Sequence, residues 1–365
     1  MNRPSVAPLL CAFAAAASAQ QGSSNVTLQG YIDASARSTQ NSLGTMKSLA
    51  SGNNSTSRLV LRGTEDLGDG LTAGFWLESS IFTDTGTAGG LAVTPAGQFW
   101  DRTSIVKLAS TRWGEVRLGR EWNPVFIGWV YSDPFIAVGV GSSANFFASG
   151  ASTALNRAFG NAAQPSTISR TSNAIQYWTP SGLGGAYAQI MVAAGEGGNA
   201  QGSFKYTSGR AGWKNANFDA SVYYGATRID AAAADLKQTG AYASYDFGVA
   251  RLAASVTESK FLSSKQLNYI VGLNVPIGVH LIRASFNRAD QKGTDAAGTS
   301  IDANDANMYA LGYQYSFSKR TALYAQAARI TNKGIARFAV PGGPSGLIAA
   351  GSGSTGYEAG IRHSF

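Results

Sequence analysis

The stretch Tyr309-Ala310-Leu311-Gly312-Tyr313-Gln314-Tyr315-Ser316-Phe317 alternates between large apolar or aromatic side chains and small or polar ones. Successive side chains of an extended chain point to opposite sides, so this stretch predicts a β-strand with one apolar and one polar face. Residues 26–34 show the same alternation, with Val26, Leu28 and Ile32 on the apolar face.

Sixteen such segments follow one another, and only a few Ala-rich residues near 231–234 suggest a helical pattern. The predicted strands are 25–37, 55–67, 70–83, 98–110, 113–121, 168–180, 184–195, 201–213, 217–229, 237–247, 249–261, 265–275, 278–289, 306–317, 319–332 and 354–365. Tight turns, such as 67–70 and 180–183, alternate with polar loops rich in Gly, Ser, Thr and Asn. The long loops are 38–54, 84–97, 122–167, 290–305 and 333–353.

An even number of strands, with tight turns at one end and long loops at the other, is typical of a β-barrel that spans a membrane. Within lipid, every backbone N–H and C=O needs a partner in the protein, so a membrane sheet must close on itself. The sequence therefore predicts an all-β fold, a 16-stranded antiparallel transmembrane β-barrel. A soluble, secreted β-sandwich or β-helix stays open, although a sandwich would not need so many strands.

The first 19 residues have the features of a cleaved secretory signal peptide. Arg3 supplies positive charge, residues 6–17 are apolar, and the small residues 17–19 form a cleavage site. We expect residues 1–19 to be the signal peptide and residues 20–365 to be the barrel domain. Cleavage removes Cys11, the only cysteine, and leaves 28 basic residues against 21 acidic ones, a net charge of +7.

The composition argues against several classes of function. One Cys and two His are too few for a Cys/His zinc site, a disulfide framework or Cys–His catalysis. We therefore expect no cofactor, no metal and no enzymatic activity. The basic residues are scattered singly, without a Lys/Arg run, so we expect no nucleic-acid partner.

Aromatic residues are frequent at the ends of the predicted strands, where they suit the two lipid headgroup regions. These residues are Trp100, Trp113, Trp122, Tyr177, Trp178, Trp213, Tyr223 and Tyr224. The chain stops at Phe365, which shares the outward parity of Tyr357 and Ile361. A C-terminal aromatic residue on an amphipathic last strand is the usual assembly signature of outer-membrane barrels.

Two stretches are the most distinctive of six that resemble a known family. They are Ser57-Arg58-Leu59-Val60-Leu61-Arg62-Gly63-Thr64-Glu65-Asp66-Leu67-Gly68-Asp69-Gly70-Leu71 and Phe317-Ser318-Lys319-Arg320-Thr321-Ala322-Leu323-Tyr324. The others are 26–34, 113–120, 132–135 and 360–365. Together they resemble the general porins of Gram-negative bacteria, in the trimeric sixteen-strand class.

The resemblance implies a homotrimer of water-filled barrels, set in outer-membrane lipid, that pass small hydrophilic solutes. It also implies that the third long loop, 122–167, folds into the lumen and narrows it. This chain departs from the family at Gln29, where an aromatic residue is usual. It departs again in the loop 122–167, whose only charged residues are Asp133 and Arg157.

Strand alternation places several arginines on the side of the water-filled interior. Arg58 and Arg62 have the parity opposite to Leu59 and Leu61, which face lipid. Arg170 is inward by the same reasoning.

Three further arginines lie near these positions. Arg117 is inward because it stands between Val116 and Leu118, whereas Arg120 lies at a strand end where alternation does not decide. Arg102 precedes a less regular alternation, and the resemblance supports it as a lumen arginine together with Arg58 and Arg170.

A cluster of arginines in a narrow pore raises the local concentration of anions and repels cations. Arginine stays protonated at physiological pH, so such a filter should not titrate near neutrality. The predicted pore constriction consists of Arg58, Arg62, Arg102, Arg117, Arg120 and Arg170, with Asp133 and Glu78 as the opposing acids. The predicted function is passive diffusion of small hydrophilic solutes, with a preference for inorganic anions.

Three other functions remain open on the sequence. A substrate-selective porin would carry a lumen binding site for a specific small anionic solute. A barrel enzyme would need a Ser–His–acid set, and His280 and His363 lie far from any obvious one. A secreted soluble binding protein would not require detergent for purification.

Overall fold

The structure is a computed structural model, and it describes residues 25–90, 98–160, 166–195 and 204–365. The predicted signal peptide at 1–19 lies outside these residues. Within the described ranges, no helix has the length and apolar character needed to cross a membrane. The strands are β1 Asn25–Asn41, β2 Gly44–Ser51, β3 Arg58–Gly68, β4 Leu71–Phe82, β5 Thr87–Ala88, β6 Thr103–Ser110, β7 Gly114–Trp122, β8 Arg170–Trp178, β9 Ala186–Ala193, β10 Tyr206–Lys214, β11 Phe218–Ile229, β12 Ala234–Asp246, β13 Arg251–Phe261, β14 Ser264–Ile277, β15 His280–Gly293, β16 Ala306–Ser316, β17 Thr321–Asn332 and β18 Ser354–Ser364.

The strands form one antiparallel sheet that closes on itself. The first strand, β1, pairs with the last, β18, and also with β3. At this seam the backbones of Gly30 and Phe365 exchange two hydrogen bonds of 3.1 Å. β2 and β3 share one position in the barrel, separated by residues 52–57, and the two-residue β5 pairs with the tip of β4. The barrel therefore has sixteen positions, and the predicted fold is confirmed.

Besides 84–97, which contains the two-residue β5, two predicted loops contain regular structure. The prediction of a loop over 38–54 is wrong, because β1 continues to Asn41 and returns as β2. This hairpin is polar, so its composition resembles that of a loop. The connection 122–167 contains the helices α1 Pro124–Val130, α2 Ala144–Phe147 and α3 Thr153–Phe159, and single 3₁₀ turns lie at Ser166–Ile168 and Asp230–Ala232.

The two faces of each strand have the expected polarity. On β11, the outward Val222 is 62% exposed whereas the inward Tyr223 is 3% exposed. On β6, the lipid-facing residues are Val106 and Leu108, so Lys107 faces the lumen. This register explains why the alternation before Lys107 is irregular.

Three of the aromatic residues predicted for the headgroup regions lie inside the barrel instead. The Trp122 ring stacks under the guanidinium group of Arg170, and the Trp178 ring stacks under that of Arg117. Tyr223 packs against the loop helix α1. Strand ends and lumen-facing positions carry the same residue types here, so composition alone could not separate them.

The connection between β7 and β8 crosses the lumen. Asn123 caps α1 by accepting a hydrogen bond from Phe126 N at 2.8 Å, and Pro124 occupies the first helical turn. Trp129 of α1 then packs with Tyr223 on the inner wall. Farther along, α3 packs against β13 and β14, and Val140 reaches β18. Because the loop contacts the inner faces of strands in different parts of the barrel wall, it lies inside the barrel.

A charge on the lipid face should be far more costly than one on the lumen face. Val222→Arg puts a cation against hydrocarbon and is expected to lower the free energy of unfolding by about 2–4 kcal/mol. Urea titration of the barrel in phospholipid vesicles, followed by tryptophan fluorescence, measures the change. The control is Thr64→Arg at an exposed lumen-side position of β3, which should change stability by about 0.5 kcal/mol or less. Equal losses for the two variants would contradict this assignment of the faces.

Candidate functional site

Five neighbouring strands carry an arginine-rich wall on the lumen side. β3, β4, β6, β7 and β8 are consecutive in the barrel, with β6 pairing to β4 and β7. The wall is defined by Arg58, Glu78, Arg102, Arg120 and Arg170.

Glu78 lies among these arginines rather than opposite them. Arg58 Nε lies 3.5 Å from Glu78 Oε1, and Arg102 Nε donates a hydrogen bond to the same oxygen. Glu78, predicted as an acid that opposes the arginines, therefore lies on the same wall and pairs with two of them. Its charge lowers the net positive charge of the wall by one unit and holds two guanidinium groups in place.

Arg170 and Arg120 occupy the next positions along the wall. The Arg170 guanidinium lies 5.3 Å from the centroid of the Trp122 ring and forms no ion pair within the described ranges. Arg120 donates to the carbonyl oxygen of Asp101 at 2.6 Å and to Ser172 Oγ at 2.9 Å. Both side chains are thus positioned by ring and dipole contacts.

The two remaining predicted arginines lie apart from the centre of the wall. Arg62 is exposed to the lumen and stacks on Trp76, with its Cζ atom 3.7 Å from the ring centroid. Arg117 pairs with Glu115 and, at 2.8 Å, with Glu121, and its Cζ atom lies over Trp178. The charge of Arg117 is therefore largely compensated by its own neighbours.

Asp133 organises the lumen loop instead of facing the arginines. Its carboxylate accepts hydrogen bonds from the N–H groups of Phe135 at 2.8 Å, Ala137 at 3.0 Å and Ser143 at 2.9 Å, and from the Ser143 hydroxyl. Burial raises the pKa of the Asp133 carboxyl, whereas these hydrogen bonds act in the opposite direction. Asp133 was predicted to be an acid that opposes the arginines. In the structure its carboxylate instead binds N–H groups of its own loop.

The loop is also fastened to β17, β18 and β1, the strands that adjoin the arginine wall on the β3 side. Val140 N donates to Glu358 Oε1 at 2.8 Å, and Arg37 pairs with the other oxygen of Glu358 at 2.9 Å. Gln326 also donates to Glu358, and its side chain reaches the carbonyl oxygen of Asn53 at 2.9 Å. These contacts hold the segment 136–140 at a fixed distance from the arginine wall.

Two cavities in the lumen meet between the loop and the arginine wall. The upper cavity, toward the long-loop end, has a volume of about 620 Å³, and the lower cavity, toward the tight-turn end, has about 400 Å³. Five residues contribute to the lining of both cavities and define a neck between them. They are Thr56, Arg102, Trp122, Ile136 and Val138. One side of the neck is therefore cationic and the other is apolar.

The lining of both cavities carries positive charge. Four arginines line the upper cavity, and they are Arg37, Arg102, Arg120 and Arg170. Four line the lower cavity, and they are Arg58, Arg102, Arg283 and Arg362. Among the described residues, no carboxylate lines either cavity. Such a lining attracts anions and offers no negatively charged partner to a cation.

Sequence reasoning missed three of these arginines. Arg362 stands between the outward Ile361 and His363, so alternation alone assigns it to the lumen. Arg283 has inward parity in β15, and its guanidinium donates to Asn54 Oδ1 at 2.5 Å. Arg37 lies in the part of β1 that was predicted as the end of a strand. Extending the parity analysis to every strand would have found them.

Comparison with known proteins identifies similar barrels. The family model described as Gram-negative porin matches residues 6–335. Outer membrane porin protein 32 of Delftia acidovorans is 35% identical over 366 residues, which cover 96% of this chain and 97% of that protein. An outer membrane porin protein of Bordetella pertussis is 28% identical over 360 residues, covering 85% of this chain and 82% of that protein.

Solved structures show the same architecture. The anion-selective porin from Comamonas acidovorans has a TM-score of 0.80 at 34% identity and covers 94% of this chain and 100% of its own. OmpT, an outer membrane protein of Vibrio cholerae, has a TM-score of 0.65 at 12% identity, with 94% of this chain and 98% of its own covered, and shows the fold alone.

Removing the Asp133 carboxylate should loosen the lumen loop without opening the barrel. Asp133→Ala leaves three N–H groups without their acceptor, and the two that are buried, on Phe135 and Ser143, each cost about 1–3 kcal/mol. We expect faster chymotrypsin cleavage within the loop in detergent, while the barrel fragments stay associated. Asp84→Ala, at an exposed carboxylate between β4 and β6, is the matched control and should cleave like the unmodified protein. Unchanged protease resistance in Asp133→Ala would contradict this role.

Proposed function

The chain belongs to the Gram-negative porin family, and from this premise we propose that it forms a water-filled channel in the outer membrane, through which small hydrophilic solutes diffuse passively with a preference for anions. A single observation carries the preference: the upper and lower cavities and the neck between them are lined by arginine, without a carboxylate among the described residues that line these two cavities. In the small recess beside the neck, four arginines outnumber the carboxylates of Glu78 and Glu121. The relative from Comamonas acidovorans, which is described as anion-selective, supports the same direction.

A passing ion is attracted mainly by those arginine charges that no carboxylate of the protein compensates. Glu78 is shared by Arg58 and Arg102, and Glu358 compensates Arg37. Within the described ranges, Arg170, Arg283 and Arg362 form no ion pair. Because these three side chains line different parts of the path, an anion meets positive charge above and below the neck.

The neck is the proposed constriction of the pore, and its two edges differ in chemistry. The loop segment 136–138 supplies an apolar edge, and Arg102 with Trp122 supplies the opposite edge. Arg58, Arg120 and Arg170 surround this point and set its potential. Arg62 contributes from the tight-turn side, whereas Arg117 stabilises the wall through its ion pairs with Glu115 and Glu121.

Export and assembly complete the proposal. Residues 1–19 act as a cleaved signal peptide, and the mature chain 20–365 assembles as a homotrimer in outer-membrane lipid. A groove on the outer face between β16–β18 and β1–β2 supports close approach of another barrel, because small residues let backbones come near each other. The alanines that line it are Ala36, Ala325, Ala327 and Ala359.

The selectivity of the channel tests the function. Arg58→Ala combined with Arg170→Ala removes one cation on each side of the neck. A unit charge about 8 Å from a permeating ion is worth ~0.5 kcal/mol even in water, with opposite sign for anions and cations. After salt screening, we expect the anion-to-cation permeability ratio to fall on the order of tenfold at low salt. Reversal potentials in planar bilayers under a KCl gradient measure the ratio.

A matched control keeps the charge change and moves it away from the pore. Arg112→Ala combined with Lys319→Ala removes two exposed cations from tight turns and should leave the ratio close to that of the unmodified protein. A cation preference in the unmodified protein, or an equal ratio in the two double variants, would overturn the proposed function.

A further inference from the structure

A third cavity lies at the tight-turn end of the lumen, separate from the neck. Its volume is about 440 Å³, and it is enclosed by the inner faces of β8, β9, β10 and β11 and by Ile127 and Tyr131 of the lumen loop. The neighbouring connections 179–185 and 215–217 are tight turns, so in a porin this end faces the periplasm. We call this space the lower side pocket, and its chemistry is set by Tyr131, Trp178, Tyr187, Gln189, Arg210 and Lys214.

A buried amide without a partner borders this pocket. Gln189 is only 2% exposed, and neither its side-chain nitrogen nor its side-chain oxygen has a hydrogen-bond partner. Leaving a buried polar group unsatisfied costs about 1–3 kcal/mol, so native structures rarely do so without a reason. A ligand that both donates and accepts a hydrogen bond would satisfy Gln189.

Two cations in the pocket retain capacity for an anion. Arg210 donates through Nε to Ser221 Oγ at 3.0 Å and through Nη2 to the Tyr187 hydroxyl at 2.7 Å. Lys214 Nζ lies 5.9 Å from the Tyr187 ring, and within the described ranges neither cation forms an ion pair. Asp219 also lines the pocket, where its carboxylate accepts a hydrogen bond from the Tyr187 hydroxyl at 2.6 Å. The two cations and this carboxylate leave the lining with one net positive charge.

Part of the remaining lining is aromatic, from Tyr131, Trp178 and Tyr187, among small residues such as Ser181 and Ala188. The Tyr187 ring lies against Gly212, where an added Cβ would meet its hydroxyl oxygen at 2.5 Å. Trp178 is oriented by a hydrogen bond from Nε1 to Gln176 Oε1 at 2.7 Å. Flat, fixed aromatic faces favour a planar ligand ring over an alkyl group of similar size.

We propose that the lower side pocket is a binding site for small planar aromatic acids. The carboxylate of the ligand binds Lys214 and Arg210, the ring packs on the aromatic lining, and a ring hydroxyl pairs with the amide of Gln189. This binding site deepens the proposed function. It rests on that function in one respect, because the solute must enter the lumen through the channel to reach the pocket. It converts the periplasmic end of a diffusion channel into a place where one class of anion resides longer.

The experiment uses the full-length mature protein in detergent, with 4-hydroxybenzoate as the probe and equilibrium dialysis as the readout. We expect saturable binding that weakens at least about fivefold in Lys214→Gln and in Gln189→Leu. Cyclohexanecarboxylate, which has the same charge without a planar ring, should bind at least about fivefold more weakly than the probe. Lys205→Gln, at the opposite end of β10, is the matched control and should bind like the unmodified protein.

Chloride conductance of each variant, measured in planar bilayers, shows that the barrel is folded and open. Any one of three results would overturn the site. The first is no saturable binding of the probe. The second is the same probe affinity in Lys214→Gln and Gln189→Leu as in the unmodified protein, and the third is the same affinity for cyclohexanecarboxylate as for the probe. Such a result together with an intact anion preference would leave the proposed function standing. A loss of anion preference in the unmodified protein would instead refute the proposed function, whatever the probe does.

Discussion

Backbone hydrogen bonding around a closed circle is the constraint on which the rest of this structure depends. Hydrocarbon offers no partner to an N–H or C=O group, so the sheet has to end where it began. The pairing of β1 with β18, extended to the last residue by Gly30 and Phe365, meets this requirement. Once the sheet is closed, each strand has one face toward lipid and one toward water, and the polarity of every side chain follows from its parity.

A closed sheet also creates a lumen in which many charges can be placed. The arginine wall would be costly in a dry core, but here water and a few fixed partners such as Glu78 and Trp122 share that cost. The loop between β7 and β8 uses the same space. Its apolar helices pack on Tyr223 and its neighbours, and the carboxylates of Asp133 and Glu358 fix the course of its narrow segment. The pore thus has a stiff cationic side and a stiff apolar side.

Strand alternation predicted much of this arrangement, because it depends only on neighbouring residues. The lumen positions of Arg58, Arg62 and Arg170 follow from Leu59, Leu61 and Ile175, and the count of sixteen barrel positions is confirmed. Contacts between residues distant in sequence were not accessible in this way. The partner of Glu78 is Arg102, which precedes its strand, and the carboxylate of Glu358 is bound by Val140, 218 residues earlier.

The aromatic residues show why some functional positions were misread. Trp122 and Trp178 occur at strand ends, where a membrane barrel usually places its headgroup-facing rings. The inward direction of Trp122 depends on the bulge in the pairing of β7 with β8 between Gly119 and Glu121, which reverses the alternation before it. Trp178 has the same parity as Arg170, so alternation alone would have placed it in the lumen. Asp133 was misread for a related reason, since a loop carboxylate can serve the pore or its own loop, and only the positions of the N–H groups decide.

The central claim is that the bore of this barrel is positively charged by arginine and therefore favours anions. The most direct test is the zero-current potential of the unmodified protein in a planar bilayer under a KCl gradient, recorded at about pH 5 and at about pH 9. Because arginine does not titrate in this range, the account predicts a potential of the sign set by chloride at both values. A potential of the sign set by potassium at either pH would contradict it.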